Sequence, residues 1–292
     1  MKRAIPFLAL LFAACTSVQT PIIEQVKVDV QIGATMQQGS TKATYEPNSD
    51  RSSFEFIWDE ADQISLIVPD IAANANAEFR VQSSGANTTI MGELTTWSGE
   101  KEIYAIYPYQ ETKYSVGSDK TMSISRSTQT IDLSDDRVGN GVMVASASGA
   151  TLSSDNMVGI PDLEFRQAMS FFLLELKDIP SSMSVTKVEL YSTDAIFVAS
   201  ADINLASGEI VEGSESMTRS LVAEIEGQSG STAQIYFALL PVDLSSQSFT
   251  MKVATSSGYT YTKIFNTATN FKRNTIHYLT TGAIGIYMEI IL

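Results

Sequence analysis

The 292-residue chain is poor in the residues that build covalent and metal frameworks: it has one cysteine and one histidine. A single cysteine excludes a disulfide scaffold, a cysteine-rich zinc site and an iron–sulfur cluster. A single histidine excludes a multi-histidine metal centre, and no cofactor is expected. Basic residues are scarce too, with 19 Lys+Arg against 33 Asp+Glu and a net charge of −14. A duplex-binding protein carries a basic face, so nucleic acid is not an expected partner. Seventeen glycines and eight prolines are too few for a collagen-like or low-complexity chain. An apolar content of 44% is too high for a disordered one.

What is present begins with a leader. Lys2 and Arg3 form a positive start, followed by a short apolar stretch interrupted by Pro6. Residues 4–14 are too few to span a bilayer, which takes about 20, so residues 1–14 are expected to be a signal peptide. The leader ends Leu11-Phe12-Ala13-Ala14-Cys15. Small residues before a cysteine look like a bacterial lipobox, although Phe12 is bulkier than usual there. Cys15 is therefore expected to be acylated and to anchor the mature chain to a membrane. An ordinary secretory cut nearby, leaving a free thiol, is the alternative.

From about residue 22 the dominant period is two. Val26, Val28, Val30 and Ile32 alternate with Lys27, Asp29 and Gln31. Phe172, Leu174 and Leu176 repeat the pattern, as do Phe249, Met251 and Val253. Tyr259, Tyr261 and Phe265 follow a Ser-Ser-Gly turn at 256–258, which reads as a hairpin. The chain ends with Ile284, Ile286, Met288, Ile290 and Leu292 on one face. Many short strands with polar turns and no long helical stripe imply an all-β protein of antiparallel sandwiches. The length fits two of them, of roughly 100–150 residues each. Ile103-Tyr104 before Pro108 and Ile235-Tyr236 before Pro241 form a weak internal echo, with chance likeness the alternative. The expected division is a linker at 15–23, an N-terminal sandwich at 24–156 and a C-terminal sandwich at 157–292.

Catalytic signatures are thin. A His-dependent nucleophile would need His277, whose alternation with Ile276 and Tyr278 reads as a strand residue. Asp132, Asp135 and Asp136 lack the glycine and terminal glutamate of an EF-hand, and read as a solvated loop. A glycosidase carboxylate pair needs no particular spacing, and nothing selects one among the acids. Trp58 and Trp97 could stack a sugar, although a core cap or strand end is the plainer reading. These absences favour a binding or structural protein over an enzyme.

Several stretches resemble the fimbrillin family of Bacteroidales, the subunits of type V pili. Thr41-Lys42-Ala43-Thr44-Tyr45 follows the first strand where the family often has Thr-Arg-Ala. Trp58-Asp59-Glu60-Ala61-Asp62-Gln63-Ile64 is similar to its Trp-x-x-Gly-Asp-x-Ile, with Ala61 in place of glycine. The stretch from Ile103 to Tyr109 is similar to a Tyr-x-x-Tyr-Pro-Tyr strand. Leu163-Glu164-Phe165-Arg166-Gln167-Ala168 resembles the strand opening the second domain. Arg273-Asn274 with Tyr278 resembles the penultimate strand.

The resemblance implies two transthyretin-like Greek-key sandwiches in tandem. It also implies export as a lipoprotein to the outer membrane and cell surface, and assembly with other fimbrial subunits by strand exchange. A trypsin-like protease would cut after an early basic residue, either Lys42 or Arg51. Residues 36–50 are polar and fit an exposed loop there. The strand carrying Val26, Val28, Val30 and Ile32 would then be displaced, and residues 284–292 of a neighbour would supply the donor. Those residues could equally be the last strand of their own sandwich. The competing function is a monomeric surface lipoprotein that binds glycan or a host ligand.

Overall fold

The computed structural model describes residues 26–37, 57–111, 116, 119–134, 141–153, 158–228, 230–258, 260–265 and 270–280. Regular structure among them is strand, apart from one short 3-10 turn at Ala72–Asn74. The all-β expectation therefore holds.

Seven strands close the first unit: β1 (Lys27–Met36), β2 (Gln63–Ile67), β3 (Ala77–Val81), β4 (Asn87–Thr95), β5 (Lys101–Tyr107), β8 (Met143–Leu152) and β10 (Leu163–Gln167). Around the ring the order is β1, β4, β3, β2, β5, β8, β10 and back to β1. An odd number of staves cannot alternate in direction all the way round, so one neighbouring pair must be parallel. That pair is β1–β10, joined at Ala34–Leu163, Thr35–Glu164 and Met36–Phe165. A short strand, β9 (Val158–Gly159), extends the pairing of β8 below β10. The first unit is thus a barrel closed on itself, with no free edge in the ring.

The remaining strands are β6 (Thr121–Ser125), β7 (Thr128–Asp132), β11 (Ser170–Lys177), β12 (Val185–Tyr191), β13 (Phe197–Asn204), β14 (Ser216–Thr218) and β15 (Ser220–Glu226). They continue with β16 (Thr232–Leu239), β17 (Val242–Asp243), β18 (Phe249–Thr255), β19 (Thr260–Phe265), β20 (Asn270–Phe271) and β21 (Ile276–Thr280). A three-stranded sheet runs β16–β11–β21 and a five-stranded one runs β19–β18–β12–β15–β7. A further sheet runs β14–β13–β6, and β17 pairs with β20.

The middle sheet explains the most apolar stretch of the sequence. In β11, Phe171 and Leu173 join the core shared with the barrel, while Phe172, Leu174 and Leu176 join the core facing the five-stranded sheet. In β16, Tyr236 and Ala238 point one way and Ile235, Phe237 and Leu239 the other. A strand covered on both faces has no polar side to show, so it reads as a continuous apolar run. The second core is rich in aromatic rings: Phe249 stacks on Phe265 at 4.7 Å, and Phe172 meets Phe265 edge-on at 6.0 Å.

The division expected at residue 156 does not follow the pairing. Leu163–Gln167, expected to open the second sandwich, is the last stave of the barrel. Thr121–Ser125 and Thr128–Asp132, expected in the first, pair with β13 and β15 of the second unit. Strand pairing is set by non-local contacts, which a local turn signal cannot report.

Candidate functional site

The candidate site is the stave β1 and the slot it fills. Its period-two pattern sends Val30, Ile32 and Ala34 fully inward, with Val28 and Met36 half-buried at the ends of the same face. Val26 stands just before the strand, in step with that face but 41% exposed at its outer end. The alternation legible in the sequence ends at Ile32. The row continues through Ala34 and Met36, where the small Gly33 and Ala34 mask the alternation.

The two sides of β1 are held unequally. On one side β4 pairs with every residue from Lys27 to Thr35, placing Val30 opposite Gly92 and Ile32 opposite Ile90. On the other side β10 pairs only from Ala34 to Met36. The slot is tight where β1 crosses β4. Gly92 faces inward between Ile90 and Leu94, and a Cβ there would lie 2.5 Å from the Glu78 carbonyl oxygen and 2.7 Å from the Phe79 ring. The buried Phe79 ring occupies the space a side chain at 92 would take. On the outer face the Asp162 carboxylate lies against Gly33, 2.3 Å from where a Cβ would stand.

Charge does not define this slot. Lys27 and Glu93 pair across β1 and β4 at 3.1 Å, but both are well exposed, and such pairs contribute little. Removing β1 would expose an unpaired edge of β4 above an apolar trough lined by Ile90, Leu94 and Phe79. Such an edge can accept an extended segment whose alternate side chains are apolar.

The Trp58 loop braces the neighbouring staves. Trp58 bridges to Gly85 by two backbone hydrogen bonds of 2.9 and 3.1 Å. Its ring meets Phe165 at 5.0 Å and Tyr107 at 5.6 Å, both edge-on. The buried Asp62 carboxylate accepts from the Asp59 N–H and from the Tyr107 hydroxyl, each at 2.9 Å. The Trp-x-x-x-Asp spacing thus turns the chain and ties it to β5. Ala61 sits in an exposed turn without a positive φ, so glycine is not required there. Trp97 is also buried, its indole N–H donating to the Ala150 carbonyl at 3.2 Å. Neither tryptophan offers a face to a sugar.

The remaining candidates are scattered. His277 lies on β21 against the edge of Phe271 at 4.6 Å, with the Thr275 hydroxyl 3.2 Å from its Nε2. Burial pushes its pKa down. Asp132 accepts from the Ser134 N–H and hydroxyl, a local turn contact. Among the described residues no three His, Cys, Asp or Glu side chains group as metal ligands. Asp135, Asp136, Cys15, Lys42, Arg51, Ile284, Ile286, Met288, Ile290 and Leu292 lie outside the described residues.

A family model described as fimbrillin-like matches residues 29–283. Among solved structures, a candidate cell adhesion protein from Bacteroides fragilis is 11% identical with a TM-score of 0.53, covering 86% of this chain and 92% of that one. A candidate cell adhesion protein from Bacteroides ovatus is 17% identical with a TM-score of 0.49, over 87% of this chain and 92% of its own. The tip fimbrial protein Mfa3 from Porphyromonas gingivalis, with a C-terminal truncation, is 10% identical with a TM-score of 0.35, over 82% of each chain. At 11% identity the B. fragilis comparison speaks to fold alone. No curated protein matches the chain.

Proposed function

The chain belongs to the fimbrillin-like family, and from that premise we propose that it is a structural subunit of a cell-surface fimbria assembled by strand exchange. In this reading Cys15 carries the lipid anchor at the outer membrane. A trypsin-like protease cuts after Lys42 or Arg51, freeing β1 from the covalent chain. Other fimbrial subunits are the partners, and no reaction is catalysed. The transthyretin-like tandem belongs to the same proposal, with the first sheet closed into a barrel and the second unit taking β6 and β7 from the connection between two of its staves.

The observation that carries the reading is the unequal hold on β1. Its full ladder to β4 and short contact with β10 make β1 a separable stave, and its inward side chains leave an apolar slot when it goes. Residues 284–292 match that slot in length and period. They are nine residues, as many as the positions of β1 paired with β4. Burying their five aliphatic or Met side chains contributes about 7–15 kcal/mol before ordering costs, at roughly 1.5–3 kcal/mol each. A one-residue slip would turn the apolar face outward, so register is strict.

The test is limited trypsin digestion of the full chain, followed by size measurement and N-terminal sequencing. Ladders of polymer with a new N-terminus after Lys42 or Arg51 support the proposal. Clean cleavage that leaves a monomer with β1 released removes it. The monomeric glycan-binding alternative is weakened by the burial of both tryptophans.

A further inference from the structure

The connection between β5 and β8 does not run straight back to the barrel. Within it β6 pairs with β13, and its Met122 and Ile124 are buried in the core that the barrel shares with the middle sheet. β7 then pairs in parallel with β15, from Thr128 to Asp132, and forms one edge of the five-stranded sheet. Backbone bonds fix both ends: Arg126 N–H donates to Ala199 at 2.7 Å, and Leu133 N–H to Glu226 at 3.0 Å.

At this edge one side chain spans the gap between the two sheets. Gln129 is 5% exposed. Its Nε2 donates to the Ala238 carbonyl at 2.9 Å, and its Oε1 accepts from the Ala238 N–H at 3.0 Å. The amide therefore satisfies both backbone groups of one residue of β16, as a neighbouring strand would. It also joins the five-stranded sheet to the middle one. Without it, a buried N–H and a buried C=O of the middle sheet lose their partner. Ile131 and Leu133 pack on the second core beside it.

We infer that residues 119–134 are a strap that makes the barrel and the second unit one cooperative body, so that a lesion at the Gln129 clamp is felt in the barrel. Both ends of the strap lead into barrel staves, β5 and β8, which pair with each other. If the barrel unfolds, the second unit keeps neither its edge strand nor its clamp. If the clamp breaks, β6 and the core it shares with the barrel are strained in turn. The middle sheet reinforces the coupling, since β11 and β16 contribute to both cores. This inference stands whether or not the chain polymerises.

The chain carries its own reporter. Its two tryptophans, Trp58 and Trp97, both bond to barrel segments, so indole fluorescence reads the barrel alone. Far-UV circular dichroism reads strands in both units. In urea, the full chain is expected to lose both signals at one midpoint. Gln129→Ala is expected to move the tryptophan midpoint to lower urea, although residue 129 lies in the second unit's sheet. Gln129→Met, which keeps the packed volume and loses both hydrogen bonds without burying a charge, is expected to move it in the same direction and covers the case in which Gln129→Ala does not fold. Thr262→Ser, on exposed β19, is expected to change neither signal. Separate midpoints in the unsubstituted chain, or a tryptophan midpoint unmoved by the Gln129 variants, would overturn the inference.

Discussion

Truncating one side chain of β1 should decide whether that stave is held as proposed. Ile32 is 2% exposed and pairs with Ile90, which is fully buried. Ile32→Ala removes three carbons from a packed face and costs about 2–5 kcal/mol. In the intact chain this lowers the unfolding midpoint. After cleavage between β1 and β2 the strand is a bound peptide, and the same loss acts on its dissociation constant. At about 1.4 kcal/mol per tenfold, retention weakens by roughly 30-fold to several thousand-fold. Gln31→Ala on the outer face is the control, expected to stay within about 0.5 kcal/mol. Val28→Ala, at a half-buried end position, should fall between them. The assay is brief trypsin digestion, then size exclusion and mass spectrometry of the retained peptide over time. Equal retention of the Ile32→Ala and Gln31→Ala peptides would refute the reasoning, because inward packing would then not be what holds β1.

Two further outcomes follow from the geometry. Gly92→Ala forces a Cβ against the Glu78 carbonyl and the Phe79 ring, so it should destabilise by about 1–3 kcal/mol, read as a lower urea midpoint of tryptophan fluorescence. His277 has its pKa lowered by burial, so the unfolded chain binds its proton more readily than the folded one. Stability should therefore fall as pH drops below about 6.5, the usual histidine range, and His277→Gln should flatten that part of the thermal midpoint against pH.

Much of the local structure was legible in the sequence. Alternation at Val28, Val30 and Ile32 marks β1, and the turn at 256–258 joins β18 to β19 as an antiparallel hairpin. Trp58 and Trp97 are buried, as the plainer reading of each has it. What the sequence hid is long-range partnership. Leu163–Gln167 alternates like any strand, and nothing local says that it closes a ring against β1 rather than opening a new sheet. β6 and β7 are ordinary short strands whose partners lie far along the chain, at β13 and β15. Gln129 looks like a surface glutamine because its role depends on Ala238, a residue with no side-chain signature. For β11 the signal was present: Phe171 and Leu173 interleave with Phe172, Leu174 and Leu176, a run too apolar for a strand with a wet face.

The central claim is that β1 must leave the barrel for subunits to join, and a reversible lock between β1 and β4 tests it most directly. Gln31 and Met91 are direct cross-strand partners on the outer face, and both are exposed. Opposed residues of an antiparallel pair have Cα atoms about 4.5–5.5 Å apart, within the span of a disulfide. The chain to use carries Gln31→Cys and Met91→Cys with Cys15→Ala, and is digested with trypsin in oxidised and reduced form. Equal cleavage is expected in both forms, with monomers when oxidised and polymer ladders once reductant frees the strand. Polymer forming equally well with the disulfide closed would contradict it.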